Sequence, residues 1–253
     1  MINRILVIAK NTFRETIRDR VLYGILGFAL FYILFTIFLG KLSLGDMVMI
    51  RSFGLAGVYL FSLIATIFLG SSILYKEIER RTLYFVLSKP VSRFEVVIGK
   101  FFGLAGAVSL TMILMAIVYL VVVGFQGGGF DGSGLLAIAL QIVEMSLFVA
   151  LLICLSSVAA PLTSTLCALM LLATGHLLEV MLRNAEQIGG FVEVVARCAY
   201  YLLPNLEKFN IRNTVVHDIA LTPEIGVITI AYGLLYIIFL LTIAATLFEK
   251  REL

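Results

Sequence analysis

Six long apolar stretches decide what this chain can fold into: approximately Val21–Leu39, Ser52–Leu74, Phe101–Val123, Leu135–Val158, Leu162–Leu182 and Ile225–Phe248. Each can cross about 30 Å of hydrocarbon at 1.5 Å per residue. Composition agrees, because 61% of the 253 residues are hydrophobic and only 14% charged. Soluble domains run near half apolar and a quarter charged, and a globule of this size has too little interior to hide the excess. The fold class expected is an all-α integral membrane domain over residues 1–253, with six transmembrane helices. Only Ala159, Ala160 and Pro161 separate the fourth and fifth spans, which predicts a tight hairpin. Proline is tolerated at a helix start because its missing N–H would be unpaired there.

Lysine and arginine set the expected orientation. If the spans alternate, thirteen of the nineteen fall on one side: Arg4, Lys10, Arg14, Arg18, Arg20, Lys76, Arg80, Arg81, Lys89, Arg93, Lys100, Lys250 and Arg251. Lys41, Arg51, Arg183, Arg197, Lys208 and Arg212 fall on the other. The positive-inside rule then puts both termini in the cytoplasm. The small net charge of +3 indicates orientation rather than a nucleic-acid partner.

Three segments do not span. Residues 1–20 place Ile2, Leu6, Ala9, Phe13 and Ile17 at helical spacing, with Arg4, Asn11, Glu15 and Arg18 on another face. This predicts an amphipathic helix in the inner interface. Residues 75–100 form a charged cytoplasmic loop of helical character, interrupted at Lys89-Pro90. Residues 183–223 form an outer loop in which Phe191, Val194, Val195, Cys198, Tyr201 and Leu202 keep helical spacing. One or two short re-entrant or interfacial helices are expected there, ending before Pro204.

Several chemistries find no support. The three cysteines have no zinc-like spacing, and a charged first twenty residues without a small-residue cleavage site does not resemble a signal peptide. There is no Gly-x-x-x-x-Gly-Lys-Ser/Thr phosphate loop. The glycine-rich Gly127–Gly132 segment has no lysine and reads as a turn. No cofactor and no metal site is expected, and the chain is read as not an enzyme.

Ionisable residues inside spans are costly. Glu144 lies about 13 Å into the fourth span by helical rise, with Gln141 one turn earlier. His176 and Glu179 share a face of the fifth span, one to two turns from its outer end. Antiparallel packing of the two spans could bring Glu144, His176 and Glu179 together in the outer half of the membrane, and Gln141 fits either reading that follows. They could line a translocation path or a proton-sensitive site, or they could be a hydrogen-bonded cluster that holds the hairpin. Gly99, Gly103 and Gly106 offer the third span a small-residue face. Its occupant could be a second copy or another helix of the same chain.

The loop carries a sharper signal: Glu77, Glu79 and Thr82, then Leu87, Ser88, Pro90, Val91, Ser92 and Arg93, then Gly99 and Lys100. These residues resemble the first cytoplasmic loop of permease subunits of type-2 ATP-binding-cassette exporters. The pattern of amphipathic N-terminal helix, six spans and outer loop is similar as well. The chain is similar in kind to the permeases encoded with the nitrous-oxide-reductase maturation machinery. The resemblance implies a permease that forms the translocation path and is driven by a separate ATPase chain. Glu77, Glu79, Arg80, Arg81, Thr82, Ser88, Pro90 and Arg93 would form the coupling surface, on a short helix that the residue before Pro90 ends. It further implies two ATPase copies, a second or related permease copy, and a bacterial or archaeal cytoplasmic membrane. The outer loop is large enough to dock an extracytoplasmic partner. Two other classes stand beside this one: an ion-gradient-driven secondary transporter using Glu144 or His176, and a non-transporting membrane anchor. Nothing in the sequence selects a substrate.

Overall fold

The computed structural model describes residues 2–42, 46–70, 92–217 and 223–250. The described residues form helices joined by short turns. In chain order these are α1 (Ile2–Ile17), α2 (Arg20–Leu42), α3 (Met47–Gly70), α4 (Arg93–Val123) and α5 (Gly132–Ser156). They continue as α6 (Pro161–Ile188), α7 (Gly190–Leu202), α8 (Arg212–Val216) and α9 (Pro223–Lys250). Six of them, α2 to α6 and α9, are long and apolar enough to cross a membrane. The chain is an all-α multi-pass membrane protein, as its apolar stretches predict.

α5 is the central helix, packed by α3, α4, α6 and α9. Leu140, Leu147, Phe148, Val149, Leu152 and Ile153 are all at most 1% exposed along it, the pattern of a helix apolar on every side and covered on every side. α2 and α6 lie at the periphery and leave Phe28, Phe31, Leu162 and Met170 outward. Lipid tails are as apolar as these side chains, so burial alone does not drive the spans together, and close backbone approach must contribute. Glycine supplies it: the Tyr119 ring sits against Gly54 and the Tyr32 ring against Gly57. Gly24 and Gly27, on α2, have nothing within reach of a Cβ.

The third span starts at Arg93 rather than Phe101, because Ser92 and Glu95 form a capping box. The Glu95 N–H donates to Ser92 Oγ at 3.2 Å, and the Ser92 N–H donates to Glu95 Oε2 at 2.9 Å. Residues 93–100, with the charged Glu95 and Lys100 buried among them, belong to the helix because α1 lies over them. A Cβ on Gly99 would come within 2.7 Å of Ile8 Cβ, and one on Gly103 within 2.6 Å of the Ala9 carbonyl oxygen. The small-residue face of the third span is therefore occupied by α1 of the same chain. Arg4 Nη1 stands 3.9 Å from Glu95 Oε2 in the same contact. The buried positions of α1 are Thr12 and Thr16, while Ile2, Leu6 and Val7 stay exposed. α1 thus presents one stripe to α4 and leaves an apolar stripe for the bilayer.

The fifth span runs on to Ile188, beyond the Leu182 expected, so Arg183 and Glu186 are helical. α7 ends before Pro204, as its spacing predicts, and keeps Phe191, Val194, Val195, Tyr201 and Leu202 exposed. The chain then turns inward. Leu206, Phe209, Val215 and Val216 are buried among the spans, so residues 203–217 close the end of the bundle.

Candidate functional site

Polar side chains from three spans and the 203–212 segment meet inside the bundle. Tyr59 on α3, Glu144 on α5 and His176 on α6 each lie about 18 Å of helical rise from Met47, Gly132 and Ile188, the helix ends on the α7 side. Tyr59 Oη donates to Glu144 Oε1 at 3.0 Å and lies 2.9 Å from His176 Nε2. Nε2 is itself 3.0 Å from Glu144 Oε1, and Nδ1 is 3.1 Å from Glu207 Oε2. A neutral imidazole has one N–H to donate. Both carboxylate contacts are hydrogen bonds only if the group holds one further proton, on the ring or on a carboxyl.

Glu207 arrives from outside the hairpin, and the path is specific. The Leu206 N–H donates to the Gly175 carbonyl at 3.1 Å. A Cβ on Gly175 would lie 2.8 Å from Leu206 Cγ and 2.9 Å from the Pro204 carbonyl oxygen, so only glycine lets the turn come this close. Asn205 pins the turn with three bonds. Its N–H donates to Tyr232 Oη at 2.8 Å, its Nδ2 to Glu179 Oε1 at 3.1 Å, and its Oδ1 accepts from the Glu207 N–H at 3.1 Å. Asn210 Nδ2 donates to Glu207 Oε1 at 3.1 Å. The Arg212 guanidinium stands 5.6 Å from the centre of the Tyr59 ring, within cation–π range.

These groups surround a cavity of about 500 Å³ that Leu177, Val180 and Arg183 also line. Glu144 is 1% and Gln141 3% exposed. Among the described residues, Glu144 Oε2 and Gln141 Oε1 are buried and have no hydrogen-bond partner, and both side chains belong to the lining of this cavity. Buried acceptors are normally paired, so the pair is an opening for a donor. Among the described residues no three His, Cys, Asp or Glu side chains are placed to hold a metal ion.

Gln141, Glu144, His176 and Glu179, singled out in the sequence, all line this one cavity. Tyr59, Asn205, Glu207 and Arg212 were missed. A tyrosine in mid-span, away from the interface where the residue is common, was the available signal for the first. Glu77, Glu79, Arg80, Arg81, Thr82, Ser88 and Pro90 lie outside the described residues. Arg93 is described: its Nη1 donates to the carbonyl oxygens of Phe248 at 2.7 Å and Glu249 at 3.0 Å. Its guanidinium also stands 5.8 Å from the Phe248 ring centre.

The profile of the ABC-2 family transporter proteins matches residues 6–253. The chain belongs to the ABC-2 transporter family. No curated protein matches it at a significant level. It is accordingly a transmembrane permease subunit of an ABC transporter. Membrane subunits of this family are generally non-catalytic, working in a bilayer with ABC ATPase subunits that carry the hydrolysis.

A second buried network braces this ABC-2 permease where α3, α4 and α5 meet. Asp131 caps α5 by accepting from the Gly134 N–H at 2.9 Å, and its carboxylate also accepts from Tyr119 Oη at 2.6 Å and Ser133 Oγ at 2.9 Å. Arg51 Nε approaches to 3.6 Å. Burial opposes ionisation of Asp131, but the hydrogen bonds from Tyr119, Gly134 and Ser133 and the Arg51 charge outweigh it and hold its carboxyl below the usual range. The preceding turn depends on Gly127 and Gly129, both at positive φ (86° and 64°).

Proposed function

We propose that this permease forms the translocation path of an exporter and is driven by a separate ATPase through residues 75–100. The observation that carries this reading is how the loop re-enters the bundle. Residue 92 caps a helix of 31 residues whose first three turns are tied to two other elements. Arg93 holds the end of α9, and the Gly99–Gly103 face holds α1. A push delivered to the loop would therefore reach α1, α4 and α9 together. Glu77, Glu79, Arg80, Arg81 and Thr82 are the proposed contact with the motor, and Ser88 and Pro90 the proposed turn back to the membrane.

The excess of lysine and arginine at this end supports placing both termini in the cytoplasm of a bacterial or archaeal cell. A path between subunits calls for a second permease copy and two ATPases. The open face of Gly24 and Gly27 suits such a contact. The resemblance to nitrous-oxide-reductase maturation permeases supports export in company with an extracytoplasmic partner at residues 183–223. An ion-gradient-driven transporter has one observation in its favour, the imidazole of His176 held between two carboxylates.

Affinity purification from the native host in mild detergent separates these readings. An ATPase recovered in equal amount, and lost from a Glu77→Ala/Glu79→Ala variant, supports the coupled permease. Recovery without an ATPase, together with gradient-driven transport in proteoliposomes, would overturn it.

A further inference from the structure

We infer that the cavity between α3, α5 and α6 binds the ammonium group of a monovalent, amphipathic amine. The inference deepens the permease reading and rests on it only in treating the cavity as a stopping place for transported ligand. Two residues of its lining, Glu144 and Gln141, each carry a buried acceptor oxygen, Oε2 and Oε1, without a partner among the described residues. They lie one turn apart on α5, so they belong to one face of that helix. The other oxygen of Glu144 already has Tyr59 and His176. The unmet demand is therefore for donors, and an ammonium supplies up to three with the charge that a carboxylate favours.

The rest of the cavity selects the body behind that group. About 500 Å³ is far more than one inorganic ion fills. Leu177, Val180 and the Tyr59 ring offer apolar wall to a hydrocarbon or aromatic body. Arg183 and Arg212 line the same cavity. Their charge disfavours a second ammonium, and the other two carboxylates of the lining are already bonded, Glu179 to Asn205 and Glu207 to His176 and Asn210, so a monoamine suits the site better than a polyamine.

Dansylcadaverine, one primary ammonium on a five-carbon arm, tests this by fluorescence titration of the full chain in zwitterionic nanodiscs, with empty discs subtracted. The expected result is saturable binding at least ten-fold tighter than that of the N-pentyl dansylamide lacking the amine, and tighter than that of spermine in competition. Glu144→Gln should weaken binding ten-fold or more. Because Glu144 also holds Tyr59 and His176, Gln141→Leu provides an arm independent of that network. It removes an unpartnered buried oxygen, so the variant should fold at least as stably while binding the amine more weakly. Equal binding of the neutral analogue, or an unchanged affinity in a folded Gln141→Leu variant, overturns the inference. The measurement uses the permease alone. Loss of amine binding with the ATPase still co-purifying defeats only this inference, and the reverse outcome defeats only the ATPase coupling.

Discussion

Tyr59 and Glu144, 85 residues apart in sequence, share a 3.0 Å hydrogen bond that joins α3 to α5 inside the bundle. The tyrosine also touches His176, so one hydroxyl serves two spans. Tyr59→Phe keeps the ring and removes the donor. Leaving a buried carboxylate short of a partner costs about 1–3 kcal/mol, so thermal unfolding in detergent should shift downward. An unchanged midpoint would mean that water replaces the hydroxyl at no cost.

Gly175→Ala tests how Glu207 reaches the cavity. The added methyl meets Leu206 Cγ and the Pro204 carbonyl, of which the second is backbone and has little room to yield. The 203–217 segment should lift from α6, at a cost of about 1–3 kcal/mol. Hydrogen–deuterium exchange should accelerate across residues 203–217 and stay unchanged in α4. Parental protection of that segment in the variant would show that the close approach is dispensable.

Gly103→Val tests the seat of α1. Its side chain would collide with the Ala9 carbonyl oxygen and Thr12 Cβ, displacing the helix. Thr12 is 4% exposed, so with Cys154, Cys167 and Cys198 replaced by alanine a Thr12→Cys reporter should resist maleimide in the parent and react once Val occupies position 103. Continued resistance would place α1 elsewhere.

The Asp131 network makes stability depend on acid pH. Its carboxyl is held below the ordinary value by Tyr119, Gly134, Ser133 and Arg51 against the opposing effect of burial. A depressed folded pKa contributes stability that is present above the unfolded value, about 3.9, and lost as pH falls through the folded value. The stability gap between the parent and Asp131→Asn should be full at pH 7 and pH 5 and should shrink only below about pH 4. A gap constant down to pH 2 would mean that the carboxylate charge contributes nothing.

The spans were legible because hydrocarbon is an undemanding solvent to read against: a run of apolar residues of the right length has few other fates. The contact of Glu144 with His176 was legible for a related reason, since two costly residues on adjacent antiparallel helices have strong cause to meet. Glu207 was not, because its position depends on backbone bonds at Gly175 and Asn205 that leave no periodic trace. Tyr59 was passed over because a tyrosine in an apolar run looks like filler until a carboxylate is found opposite. The early start of α4 at Arg93 was hidden by its charges, which the end of α9 and the covering α1 accommodate. Asp131 sat in a segment read as a turn, and of its three hydrogen bonds one comes from a tertiary neighbour, Tyr119, and two from the helix start at Ser133 and Gly134.

The seat of α1 on Gly99 and Gly103 also bears on how the protein is made. The helix is synthesised before α4, yet the surface it packs against there is about 90 residues away in sequence. At translation speeds of about 5–20 residues per second, α1 must wait roughly 5 to 20 s for its partner to leave the ribosome. Its exposed Ile2, Leu6 and Val7 give it somewhere to wait, adsorbed on the membrane surface. Docking of α1 would then report that the third span has been inserted, so the contact forms only after α4 is in the membrane although α1 precedes it in sequence.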